Sequence, residues 1–66
     1  MYRRSGCHLC EQMAAELRVR GIAFDEIDVD SDPRLRLKYG ADVPVLVFED
    51  LVCKHRLTPE AIAKLR

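Results

Sequence analysis

Cys7 and Cys10 stand three positions apart in "SGCHLCEQMAAELRVRG", residues 5–21, where the chain turns into a helix. Three chemistries use such a pair: a dithiol that cycles with a disulfide, two ligands of a metal site, or two thiols packed in a core. At i and i+3 on a helix the two side chains face the same way. Their origins lie about 5 to 6 Å apart, which permits a disulfide with modest adjustment. Cys7 sits at the N-terminal edge, where free backbone N–H groups and the positive end of the helix dipole favour an anion. It should therefore ionise more readily than a free thiol, whose pKa is about 8.5. Cys10, one turn deeper, lacks that help, and its bland role is a core thiol beside Ala14 and Leu17. The spacing and the helix end favour redox use, because inert buried thiols need neither.

Arg3, Arg4 and a protonated His8 bring positive charge toward Cys7, so Arg3 and His8 are candidates for tuning its ionisation. Tyr2 and Arg4 are candidates for contacting the substrate, Tyr2 as a wall of the site. Cys53 is either a third redox partner or, the favoured reading, a small strand hydrophobe. Zinc is the rival chemistry, since Cys7, Cys10, Cys53 and one of His8 or His55 make four ligands. Against it, Cys53-x-His55 lacks the usual gap of about two to five residues, and both thiols of the pair are used inside a helix.

The elements that must position these groups are legible. With 66 residues the chain is one domain with a thin core, and 48% hydrophobic against 33% charged residues is the composition of a folded protein. Eleven basic residues cancel eleven acidic ones, so the balance attracts neither nucleic acid nor anionic lipid. No run approaches the ~20 apolar residues that span a bilayer, and no signal peptide is read at the start, so a cytoplasmic location is expected. Three cysteines do not make the paired framework of a small secreted protein.

From Cys7 to Arg20 there is no Gly or Pro, and Leu9, Met13 and Leu17 recur every four residues with Cys10 and Ala14 on the adjoining face, which predicts a helix stopped by Gly21. "IAFDEIDVD" predicts a strand over residues 23–29, bulged or buried on both faces. Ser31 or Asp32 caps a short second helix with Pro33 at its first position and Gly40 as terminator. Val45 to Phe48, a Glu49-Asp50 turn and Leu51 to Cys53 read as a hairpin. Thr58-Pro59-Glu60 opens a last helix through Ala61, Ile62 and Leu65. Arg18, Arg20, Arg34 and Arg36, and the acidic run Asp25 to Asp32, read as solvated surface.

This α-β-α-β-β-α order, with CxxC opening the first helix and "VP" entering the hairpin, resembles the glutaredoxin-like branch of the thioredoxin fold. "GCHLCE" followed by "YGADVPVLVFEDLVCKHRLTPEAI" is similar to small bacterial glutaredoxin-like proteins that carry CHLC. The resemblance covers nearly all of residues 1–66. It implies a three-layer α/β fold with a small mixed sheet. Its central first strand would here be reduced or missing, because only Met1 to Arg4 precede the motif: the strand is a stub, or the chain begins late. The resemblance also implies that Val43–Pro44 is a cis bond facing the CxxC, with the Val43 backbone pairing to an extended substrate. Glutaredoxins carry a Gly-Gly pair and an acid after the last strand, where this chain has Cys53-Lys54-His55-Arg56.

The function so implied is a thiol-disulfide oxidoreductase using Cys7 and Cys10, reducing protein or glutathione mixed disulfides. It needs no cofactor, takes glutathione as a candidate reductant, and works as a monomer on a disulfide-containing protein or a small thiol. The alternatives are a metal or iron–sulfur protein using the same cysteines, or a catalytically weak thioredoxin-fold binding module.

Overall fold

β1, Tyr2–Arg3, leads through a turn at Ser5-Gly6 into α1, His8–Val19, in the computed structural model, which describes residues 1–65. Cys7 precedes α1 with an extended backbone, φ −86° and ψ 106°, so it caps the helix from outside and does not form part of it. At the other end Gly21 takes φ 70°. Its N–H donates to the Arg18 carbonyl and that of Ile22 to the Leu17 carbonyl, both at 3.0 Å. These two bonds make the Schellman stop that the Gly at this place allows.

The expected strand over residues 23–29 is mostly absent. Only β2, Ile27–Asp28, pairs with a neighbour, and Val29–Ser31 is a turn of 3-10 helix. Two causes combine. β1 offers only two residues to pair with, extended by one rung in which the Met1 amine donates to the Asp25 carbonyl at 2.6 Å and the Ile27 N–H to the Met1 carbonyl at 2.9 Å. Beyond Ile27, short polar side chains capture the backbone: Asp28 Oδ1 accepts from the Asp30 N–H at 2.9 Å and Ser31 Oγ donates to the Asp28 carbonyl at 2.6 Å.

α2, Pro33–Tyr39, starts as expected at Asp32 with Pro33 in its first turn. β3, Val45–Phe48, and β4, Leu51–Lys54, form the hairpin, one residue longer on the return than expected, with Glu49 at φ 52° in the turn. α3, Pro59–Lys64, is capped by Thr58, whose Oγ1 accepts from the Ala61 N–H at 3.2 Å.

The sheet order is β2-β1-β3-β4, so the two-residue strand lies inside the sheet. β1 runs parallel to β2 and antiparallel to β3, with Tyr2 opposite both Ile27 and Val45. Alternation sends Met1 and Tyr2 to opposite faces. On the Met1 face, Met13, Ala14 and Leu17 of α1 and Ala61 of α3 pack with Leu46, Cys53 and Leu57. On the Tyr2 face, the Tyr2 and Tyr39 rings stack with centroids 4.3 Å apart, which docks α2. The result is a four-stranded mixed sheet with helices on both faces, a small α/β fold of thioredoxin-like type. Leu9, expected on the buried stripe of α1, is instead 45% exposed. The stripe is Cys10, Met13, Ala14 and Leu17, and at about 100° per residue Leu9 lies about 90° from its centre, at the edge of the buried face.

Candidate functional site: a dithiol at the head of the first helix

Cys7 and Cys10 are joined as a disulfide, with Cα atoms 5.2 Å apart. The Cys10 N–H donates to Cys7 Sγ at 3.2 Å, and the Glu11 N–H to the Cys7 carbonyl at 3.2 Å. A cysteine thus occupies the place usually taken by Ser, Thr, Asp or Asn, with its sulfur accepting from one of the orphan N–H groups of the first turn. The two sulfurs differ in access. Cys7 is half-buried, whereas Cys10 is fully buried with the core face of α1 behind it.

The loop carrying Cys7 is held from below. Its N–H donates to the Arg4 carbonyl at 3.3 Å, closing the turn through Ser5-Gly6. The Arg4 guanidinium grips Asp30 with two bonds, Nε to Oδ2 at 3.0 Å and Nη2 to Oδ1 at 3.1 Å. Arg3 reaches Glu26 at 3.1 Å, and Glu26 also takes Arg18 at 3.2 Å. Both arginines near the cysteines therefore carry carboxylate partners, and the acidic run read as solvated surface is what supplies them. Their positive charge reaches Cys7 largely compensated. His8 is exposed, its Nδ1 4.0 Å from Glu11 Oε2.

The Val43–Pro44 bond is cis, Pro44 is buried and Val43 half-buried. Carrying the Tyr2–Val45 register one and two residues outward sets Arg3 beside Pro44 and Arg4 beside Val43. Arg4 in turn holds the Cys7 N–H, so the Val43–Pro44 segment and the dithiol loop flank the same end of β1. Tyr2 is committed to its stack on Tyr39. Cys53 is 3% exposed in the core, with Sγ 3.8 Å from Thr58 Oγ1. No group of three or more His, Cys, Asp or Glu able to hold a metal occurs among the described residues, so the zinc set of Cys7, Cys10, Cys53 and a histidine is not assembled.

His55, offered by the sequence only as an alternative zinc ligand, lies beside the Val43–Pro44 segment instead. His55 follows β4 with φ 72°, and its N–H donates to the Pro44 carbonyl at 2.8 Å. Histidine is more tolerated at positive φ than most residues, but it marks such a position far less clearly than Gly or Asn. A half-open pocket of about 470 Å³, lined by Arg20, Gly21, Ile22, Phe48, Ile62 and Leu65, lies at the far end of α1 and touches none of these groups.

A buried thiol behind a more accessible one, set at the head of the first helix of a thioredoxin-like sheet, defines a dithiol domain of that fold. The chain belongs to the glutaredoxin-like domain family (DUF836), whose family model matches residues 1–65. Comparison with curated proteins and with solved structures gave no match.

Proposed function

We propose that the protein is a thiol-disulfide oxidoreductase in which Cys7 is the nucleophile and Cys10 the resolving thiol. The observation that carries this reading is the Cys10 N–H aimed at Cys7 Sγ while Cys10 itself is buried. An N–H donor and the helix end favour a thiolate over a thiol at Cys7, and burial keeps Cys10 from meeting substrate first.

In the reduced protein the Cys7 thiolate attacks one sulfur of a substrate disulfide. The Cys7–substrate S–S bond forms, the substrate S–S bond breaks, and the departing thiolate takes a proton from water. Cys10 then loses its proton and attacks Cys7 Sγ. The Cys7–Cys10 bond forms, the Cys7–substrate S–S bond breaks, and the second substrate sulfur leaves as a thiolate that is protonated from water. The substrate gains two electrons and two protons, and the protein dithiol loses them. A thiol reductant, two glutathione molecules or one dithiol protein, restores the dithiol. Val43 and Pro44 form the ledge for an extended substrate, and the positioned Arg4 carbonyl sets the height of Cys7 above it. The monomer acts on a disulfide-containing protein or a small thiol's mixed disulfide.

The test is turnover of a disulfide peptide with a thiol reductant, comparing wild type with Cys7→Ser. The reading expects turnover to fall to the uncatalysed rate. Retention of full turnover would place the nucleophile elsewhere.

A further inference from the structure

The acidic residues between β2 and α2 divide the work among them. Asp28 and Asp32 cap the 3-10 turn and α2, and Glu26 is shared by Arg3 and Arg18. Asp30 is spent on Arg4 alone, with Nε donating to Oδ2 at 3.0 Å and Nη2 to Oδ1 at 3.1 Å. Two such bonds fix the plane of a guanidinium, where one bond lets it swivel. Among the described residues it is the only two-pronged pair between distant parts of the chain, since the other, Arg34 with Asp32, spans two residues.

Asp30 has a firm seat. Its N–H donates to Asp28 Oδ1 at 2.9 Å, Ser31 Oγ closes the same turn on the Asp28 carbonyl, and Val29 between them is fully buried. Asp28 is in register with Arg3, so the seat is fixed to β1. Arg4 has no such support from the backbone of β2. The pairing of β1 with β2 stops at Arg3, and Arg4 begins the turn through Ser5 and Gly6, whose φ is 75°. The Arg4 carbonyl accepts the Cys7 N–H at 3.3 Å, the bond that closes this turn. The tilt of that carbonyl, and with it the place of Cys7, depends on where the Arg4 side chain is held.

The pair itself is exposed, 42% and 35% at its two side chains, and an exposed pair adds little to stability. Its consequence is local. Cys7 Sγ has to stay against the Cys10 N–H, 3.2 Å away, for that donor to favour the thiolate. A loosened turn swings the sulfur off the donor.

We propose that Asp30 is a positioning residue for Cys7, gripping Arg4 so that the turn presents the sulfur to the Cys10 N–H. The proposal rests on the oxidoreductase reading and adds a residue to that same site.

The experiment uses wild type, Asp30→Asn, Arg4→Lys and the double variant. It measures the iodoacetamide rate at Cys7 of the reduced protein at pH 7, and kcat and KM for a disulfide peptide. Iodoacetamide is small and neutral, so its rate reads Cys7 without substrate binding. Arg4→Lys keeps the charge and loses the fork. For Asp30→Asn, position and charge predict opposite signs. Removing the carboxylate charge alone would favour the thiolate and speed alkylation, whereas a displaced turn slows it. Each single variant should alkylate Cys7 about three- to tenfold more slowly and lose a similar factor in kcat at nearly unchanged KM. The double variant should be no slower than the slower single one, because both act through one pair. The melting temperature should fall by no more than about 4 °C. A larger fall would assign Asp30 to the fold instead. Alkylation of Asp30→Asn as fast as wild type or faster, a loss confined to KM, or losses that multiply in the double variant would overturn positioning by Asp30 while the oxidoreductase reading stands. If wild type fails to reduce the peptide, that reading falls, and the alkylation rates still decide whether Asp30 holds Cys7.

Discussion

The Cys10 N–H donates to Cys7 Sγ across one helical turn, at 3.2 Å, so the backbone of one cysteine solvates the sulfur of the other. The same hydrogen bond caps α1. Helix initiation and the N–H donor to the Cys7 sulfur are therefore one structural feature, and the next residue in the first turn, Glu11, adds to the cap by donating to the Cys7 carbonyl.

An alkylation experiment follows from the unequal exposure of the two sulfurs. In the reduced protein at pH 6 to 7, iodoacetamide should modify Cys7 well before Cys10, read by peptide mass mapping. Equal rates at the two residues would mean that neither the N–H bond nor the burial of Cys10 separates them.

Acid should loosen α2 through Asp32. Arg34 lowers the pKa of this carboxyl, first through its side chain and then through its backbone N–H, which donates to Oδ1 at 2.8 Å. A folded-state pKa below the unfolded value of about 3.9 means the contribution is fully present above that value and is lost as pH falls through the folded pKa. The stability difference between wild type and Asp32→Ala, from urea unfolding, should be flat from pH 5 to 7 and shrink below pH 4. A difference that grows on acidification would reverse the assignment.

The hairpin turn carries a removable penalty at Glu49, φ 52°. Left-handed backbone costs a non-glycine residue about 1–2 kcal/mol, offset by the roughly 0.5–1 kcal/mol that glycine loses in chain entropy. Glu49→Gly should raise stability by about 0.5–1 kcal/mol in urea unfolding, with an unchanged m-value. A loss of stability would show that the Glu49 side chain supports the turn.

Leu17 is 0% exposed at the centre of the Met1-side core. Leu17→Ala should cost about 2–5 kcal/mol. At roughly 0.05–0.15 kcal/mol per residue, a domain of this size holds only about 3–10 kcal/mol in total, so the variant should be partly unfolded at 37 °C by circular dichroism. Full stability would mean that the thin core collapses around the gap.

What the sequence made legible is what neighbours in the chain decide. Cys7 before a glycine-free run, Gly21 after it, Asp32-Pro33, Glu49-Asp50 and Thr58-Pro59 each mark an end through caps, turns or missing donors, and each marks a real end in the structure. The strand expected over residues 23–29 failed because a strand also needs a partner. The partner's length, two residues of β1, is not visible in the β-branched residues of the strand itself. The pairing of Arg3 and Arg4 with Glu26 and Asp30 spans more than twenty residues and follows from sheet order, so the charge read as acting on Cys7 could not be seen to be compensated. Leu9 lost its place on the core face because the stripe is centred on Cys10, Met13, Ala14 and Leu17, which leaves Leu9 about 90° from its centre, so its four-residue spacing from Met13 did not suffice.

The most direct measurement of the central claim is to trap the intermediate. Cys10→Ser, reduced and mixed with a disulfide peptide, should accumulate a covalent adduct that intact-mass spectrometry places at one peptide per chain. Fragmentation should locate that adduct at Cys7, and dithiothreitol should release it. An adduct at Cys53, or none under conditions where wild type turns the peptide over, would contradict Cys7 as the nucleophile and Cys10 as the thiol that resolves it.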